Sequence, residues 1–176
     1  MVPQSVDIDF AHFFDYLVQA RHRLLEWIAE APEDLYTRPF AFGLGSIRAT
    51  LLHVAEMEWA YVHRLKGRDW RKEDSPFTVQ RLPTLPLLTT AWDAQRPETR
   101  RALAEIDDPS RSVEYVSHNF TPPQRTQTTA GGIAGQLLFN EVHHRAQVMT
   151  MLRLAGIAAQ DLDYSRLVWT RTPVEA

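Results

Sequence analysis

A chain of 176 residues with a formal charge of −3 can enclose one core, and it gives no electrostatic reason to meet nucleic acid or an anionic membrane. It has no cysteine, which excludes disulfides, thiolate nucleophiles and cysteine-ligated zinc or iron–sulfur clusters. Any metal site must be built from histidine, carboxylate and amide donors, a set suited to zinc, nickel, iron or manganese.

The N-terminal stretch MVPQSVDIDF lacks the basic and apolar regions of a secretory signal, and no apolar run is long enough to span a bilayer. A cytoplasmic location is therefore expected. Phe10, Phe13, Phe14, Leu17, Leu24, Leu25 and Ile28 recur at helical spacing and predict a first helix over 7–31, closed by Pro32. After a loop rich in proline and glycine, Ser46 is the expected N-cap of a second helix, 47–65, with Gly67 as its stop. This second helix is apolar almost all round and should lie among several neighbours. Residues 68–82 are charged and turn-like.

A third helix is predicted over 85–108. Pro86 suits its first turn. Pro97 removes a hydrogen bond and crowds the carbonyl of Asp93, which predicts a kink or break. SVEYVSH and RTQTT, on either side of NFTPPQ, predict a short hairpin. The fourth helix should run over 131–155 and stop at Gly156, with Ile133, Leu137, His144, Val148, Met151 and Ala155 on one face. The tail, 157–176, reads as a turn and a short extension, with SRLVWT packed on the body. One all-α domain over 1–176, a bundle of four helices, is the expected architecture.

Three of the histidines read as surface groups: His12 opposite the first apolar stripe, His22 on its flank, and His118 in the hairpin. His53 is different, because its face of the second helix carries Ala49, Met57 and Ala60, a lane along which another helix can come close. A buried imidazole must find partners for both nitrogens, so for a single histidine a core hydrogen bond is the ordinary explanation. His144 repeats the argument in the seam of Leu137, Val148 and Met151. Asn140 lies one turn earlier on the same face. Glu141 lies about 60° round the helix, within reach of the same pocket, and His143 about 100° away, toward the flank of the seam or water. Two inward histidines on two central helices leave two readings open: a metal site, or a pair of core polar groups. The stretch NEVHHRAQ also comes close to the zinc-protease pattern H-E-x-x-H but fails it at Asn140.

GSIRATLLHVAEMEWAYVHRLKG, 45–67, and NEVHHRAQVMTMLRLAG, 140–156, resemble the DinB/YfiT-like proteins, and the likeness covers most of the chain. The resemblance implies a four-helix bundle of up-down-down-up topology, often paired into homodimers through bundle faces. It also implies a divalent metal held by one histidine of the second helix and two, four residues apart, on the last long helix. Those positions are His53, Asn140 and His144 here. Asn140 is the departure, since an amide oxygen is a weaker donor than imidazole and would hold zinc or nickel less tightly. Glu56 or Glu141 would then supply a further donor or a general base, a set better suited to iron or manganese. Alternatively the metal is lost and Asn140 hydrogen-bonds one of the imidazoles.

Relatives of this kind include transferases that add a low-molecular-weight thiol to an electrophile, a thiol-dependent isomerase and metal-dependent hydrolases. The resemblance thus implies activation of a thiol or water toward a small-molecule substrate. His143 and Arg145 of the shared element would support the ligands, with Arg145 bonding a neighbouring loop or a carboxylate across the bundle. No side-chain nucleophile is expected: no Ser-His-Asp order, phosphate-cradling glycine loop or dinucleotide fingerprint is present. The competing expectation is a metal-poor, catalytically inactive, stress-associated helical dimer. It would bind a small apolar ligand or a partner in a cavity lined by Met57, Trp59, Tyr61 and Trp92.

Overall fold

Helix boundaries in this protein are set by side-chain caps and by glycines that adopt positive φ. The computed structural model describes residues 8–68, 70–118 and 120–172. Helix α1, Phe10–Glu30, begins where the Asp9 carboxylate accepts a hydrogen bond from the His12 amide at 2.8 Å. Asp7, where the sequence placed its start, lies outside the described residues. Helix α2, Ile47–Leu65, begins at Ser46, whose hydroxyl accepts from the Ala49 amide, and is followed by Gly67 at φ +64°. Both ends agree with the sequence reading.

Helix α3, Leu85–Ala104, passes through Pro97 without a break. Of the predicted kink or break, a break does not occur: Pro97 lies on the exposed side, where the carbonyl deprived of its donor can be served by solvent. The helix also ends short of 108. The Asp107 and Asp108 carboxylates accept from the amides of Asp108 and Ser110, which makes a turn ahead of Pro109.

The hairpin is present: β1, Ser112–Ser117, pairs antiparallel with β2, Gln124–Thr129, in a register running from Ser112 opposite Thr129 to Ser117 opposite Gln124. Asn119, within the predicted connection, lies outside the described residues. Helix α4, Ala130–Leu154, follows β2 directly, because Thr129 both ends the strand and caps the helix through its hydroxyl. Gly156, at φ +85°, follows its last turn. In the tail a short helix α5, Tyr164–Val168, packs on α1; residues 173–176 lie outside the described residues.

The structure is thus mostly helical, with one two-stranded antiparallel sheet among the described residues. Contacts run from α1 to α3, α3 to α2, α2 to α4 and α4 back to α1, so the four long helices close a ring of pairs. The core falls into two apolar clusters. One gathers Leu17, Leu24, Ile47, Leu51, Trp92 and Leu152; the other gathers Phe10, Phe14, Val62, Leu103, Ile133 and Leu137. Each fully buried large side chain contributes roughly 1.5–3 kcal/mol. Among the described residues no helix is long and apolar enough to cross a membrane.

Candidate functional site

Where α2 and α4 run side by side, the two histidines singled out by the sequence meet. The His53 and His144 rings lie 4.7 Å apart between centroids, edge to face at 78°. One turn further along α4, Gln147 holds both neighbouring imidazoles. Its Oε1 lies 3.0 Å from Nδ1 of His144, and its Nε2 lies 3.0 Å from Nε2 of His143. With the amide so oriented, Nδ1 of His144 carries the proton and donates, which leaves the Nε2 lone pair unspent. His143, as the helical angle required, is exposed and stacks edge to face on His144 at 4.9 Å. The loop before α2 backs this arrangement: a Cβ added at Gly43, which sits at φ +59°, would lie 3.0 Å from the Gln147 Oε1.

His53 is half-buried, and burial is the main reason its pKa falls below the ordinary imidazole value. The neighbouring His144 and the Lys72 ammonium push in the same direction. The ring is thereby kept neutral, the form in which imidazole ligates metals. Glu56, nearly one turn further along α2, has its carboxyl pKa raised by burial, opposed by a hydrogen bond from Ser75 and by the charge of Lys72. Asn140 lies one turn before His144, half-buried, and its amide bonds neither imidazole among the described residues. Among those residues no three His, Asp or Glu side chains gather closely enough to hold a metal ion.

Glu141 faces elsewhere than the sequence reading placed it. Both of its carboxylate oxygens accept from Arg21 of α1, at 3.1 Å from Nε and 2.6 Å from Nη2. Glu141, Arg145 and Leu152 are buried to one side of the His144 seam, and α1 lies along α4.

That contact belongs to a buried polar network that sequence reasoning missed. Arg21 Nη2 also donates to Glu58 of α2 at 2.7 Å. From α3, Trp92 Nε1 and Thr99 Oγ1 donate to the two Glu58 oxygens at 2.7 Å each, with Gln95 adding a longer bond of 3.3 Å. The Arg21 guanidinium stacks on the Trp92 ring at 3.9 Å. Arg21, Glu58 and Glu141 are only 3%, 2% and 4% exposed, so α1, α2 and α4 each contribute one buried charge to this network. The available signal was an arginine set on an apolar stripe, between Leu17 and Leu24.

Arg145 reaches the C-terminal segment. Its Nη2 donates to the Tyr16 hydroxyl and to the Leu162 carbonyl, and Tyr16 in turn donates to that carbonyl at 2.7 Å. Of the other histidines, His12 is exposed and bonds the Tyr164 hydroxyl, His118 is exposed, and His22 is half-buried beside Asp93 at 3.2 Å. Trp92 and Tyr61 are core residues, and Met57 and Trp59 pack against the core from its edge.

Fold and site define a class: a mostly helical protein whose second and fourth long helices bring two histidines together above a buried charged layer. The DinB family matches residues 3–175, nearly the whole chain, and the protein belongs to that family. A search of curated proteins finds none that matches the chain.

Proposed function

We propose that the protein is a DinB-like, up-down-down-up bundle that holds a divalent metal between α2 and α4. It would use that metal to activate a low-molecular-weight thiol or water toward a small-molecule substrate, as a transferase or hydrolase. The observation carrying this reading is the meeting of His53 and His144 across the two helices, with Nδ1 of His144 occupied by Gln147 and its Nε2 free. Two imidazoles fit zinc, nickel, iron or manganese, and Asn140 would add a weaker amide oxygen. When bound, such an ion supplies a Lewis acid that lowers the pKa of a coordinated water or thiol. Gln147 orients His144 in the manner of the outer groups that fix ligating imidazoles. Glu56, its carboxyl pKa raised, is the nearest candidate for a proton acceptor. Glu141 is committed to Arg21 and takes no part.

We infer a cytoplasmic homodimer. Its face would be the apolar groove of about 810 Å³ between α1 and α4, where Phe139 is 74% exposed. Space in front of Gly135 is open, so Phe139 of one copy fits over Gly135 of the next as a self-complementary contact.

A second reading is favoured by the lack of three clustered His, Asp or Glu side chains among the described residues. In it the chain is a metal-poor, inactive helical dimer that binds a small ligand or partner. Elemental analysis of protein never exposed to a nickel column separates the two. One metal per chain, lost in His53→Ala, supports the enzyme; no uptake after soaking with zinc, nickel, iron or manganese overturns it.

A further inference from the structure

Beyond the histidine pair, the C-terminal end of α2 carries a buried cation that no carboxylate matches among the described residues. Arg64 is 7% exposed, yet it forms no ion pair among the described residues, and its Nε has no hydrogen-bond partner. A buried charge is costly unless it is paired. Of the other buried arginines, Arg21 is matched by two carboxylates, whereas Arg145 bonds the Tyr16 hydroxyl and the Leu162 carbonyl, leaves its own Nη1 unpartnered and lines no cavity with other cations. Arg64 instead lies among aromatic rings. Its Cζ is 4.2 Å from the centroid of Tyr115, 5.2 Å from Tyr61 and 5.5 Å from Trp70. The Tyr61 hydroxyl is hydrogen-bonded to it. Rings against the guanidinium hold it in place while its Nε–H stays unused, and stacked arginines of this kind grip oxyanions through in-plane donors.

Arg64 lines a cavity of about 450 Å³ whose wall also includes Trp70, Arg71, Lys72 and His118, against a single carboxylate among the described residues, Glu73. Arg71 and Lys72 likewise form no ion pair among the described residues, whereas the nearby Lys66 and Arg68 both pair with Glu98. Three cations without an ion pair among the described residues thus share the wall of this cavity. His53 lies three turns away, about 16 Å along α2.

We propose that this cavity is an anion-binding pocket in which Arg64, flanked by Arg71 and Lys72, holds the phosphate or carboxylate group of a small molecule. The pocket needs no metal and stands apart from the histidine pair, although Lys72 also faces His53 and Glu56.

The test uses the full chain stripped of metal with a chelator, so that its outcome does not depend on the metal reading. Inorganic phosphate and malonate are titrated in turn at low ionic strength, following the Arg64 Nε–H resonance by nitrogen–proton NMR. A saturable downfield shift of that resonance with phosphate assigns a phosphoryl ligand, and one with malonate alone assigns a carboxylate. Arg64→Lys keeps the charge and removes the fork together with that resonance; its affinity, read by isothermal titration calorimetry alongside the unaltered chain, should fall by about tenfold. Because Arg64 is packed among rings, the exposed pair Arg71→Gln and Lys72→Gln provides a second variant that spares the core, with the same expected weakening. Shifts that never saturate, or affinity unchanged in both variants, overturn the proposal.

Discussion

Replacing Arg21 by methionine preserves much of its length while removing the cation that Glu58 and Glu141 share. Glu58 keeps Trp92, Gln95 and Thr99 as donors. Glu141 has no other hydrogen-bond donor among the described residues, so most of the penalty falls there. Removing one partner of a buried ion pair costs about 3–5 kcal/mol, and the lost stacking on Trp92 adds about 0.5–2 kcal/mol. In a chain of this length each kcal/mol moves the midpoint by about 2–4 °C, so Arg21→Met should lower Tm by about 7–28 °C. Urea and thermal unfolding followed by circular dichroism measure it. Adding Glu141→Gln removes the orphaned carboxylate, so the double variant should lose less than the two single changes summed, with a coupling of at least about 1 kcal/mol. An Arg21→Met cost below about 1 kcal/mol, or simple additivity, would refute the reasoning and mean that water reaches the network.

Three further outcomes are expected. Asn140→His should tighten divalent metal binding by at least about tenfold in competition with a chromophoric chelator; unchanged affinity would place Asn140 away from the two imidazoles. Burial pushes the Tyr36 hydroxyl up to about 12 from 10.0, against the opposing charge of Arg48, and the hydroxyl has no hydrogen-bond partner among the described residues. Folding therefore favours the neutral phenol: its contribution is intact below pH 10 and lost as pH rises from 10 to about 12. Tyr36→Phe should abolish that part of the alkaline loss in a series of Tm against pH, and at pH 7 it should be neutral or stabilising by up to about 1 kcal/mol. Phe139→Asp should convert a dimer into a monomer in light scattering coupled to size exclusion, and a monomeric wild type would remove the dimer reading.

Helices were legible where their signals are local. Ser46 and Gly67 bracket α2, and Gly156 follows the end of α4, because a cap or a positive φ depends on a few adjacent residues. The hairpin was legible for the same reason. Pro97 does not break α3, since the steric rule says what a proline removes but not which side of the helix faces water. Helical angles also placed His53 and His144 on inward faces, and the rings do meet. For Glu141 the same arithmetic failed: an angle of about 60° from His144 says nothing about which neighbouring helix occupies that side. The partner is Arg21, separated from Glu141 by 120 positions, and no local pattern announces so distant a pairing. The Arg64 pocket was hidden in a different way, because a charged run reads as solvated surface until its members are sorted into those with ion-pair partners and those without.

The close approach of Gly43 to Gln147 ties the proton of an imidazole to a loop that contributes no ligand. A side chain at 43 strains a left-handed backbone and pushes into the amide that decides which nitrogen of His144 is protonated. A genetic screen for lost histidine function would therefore return Gly43 beside His53 and His144, and a designer grafting the two histidines onto another bundle would have to carry this loop along with them.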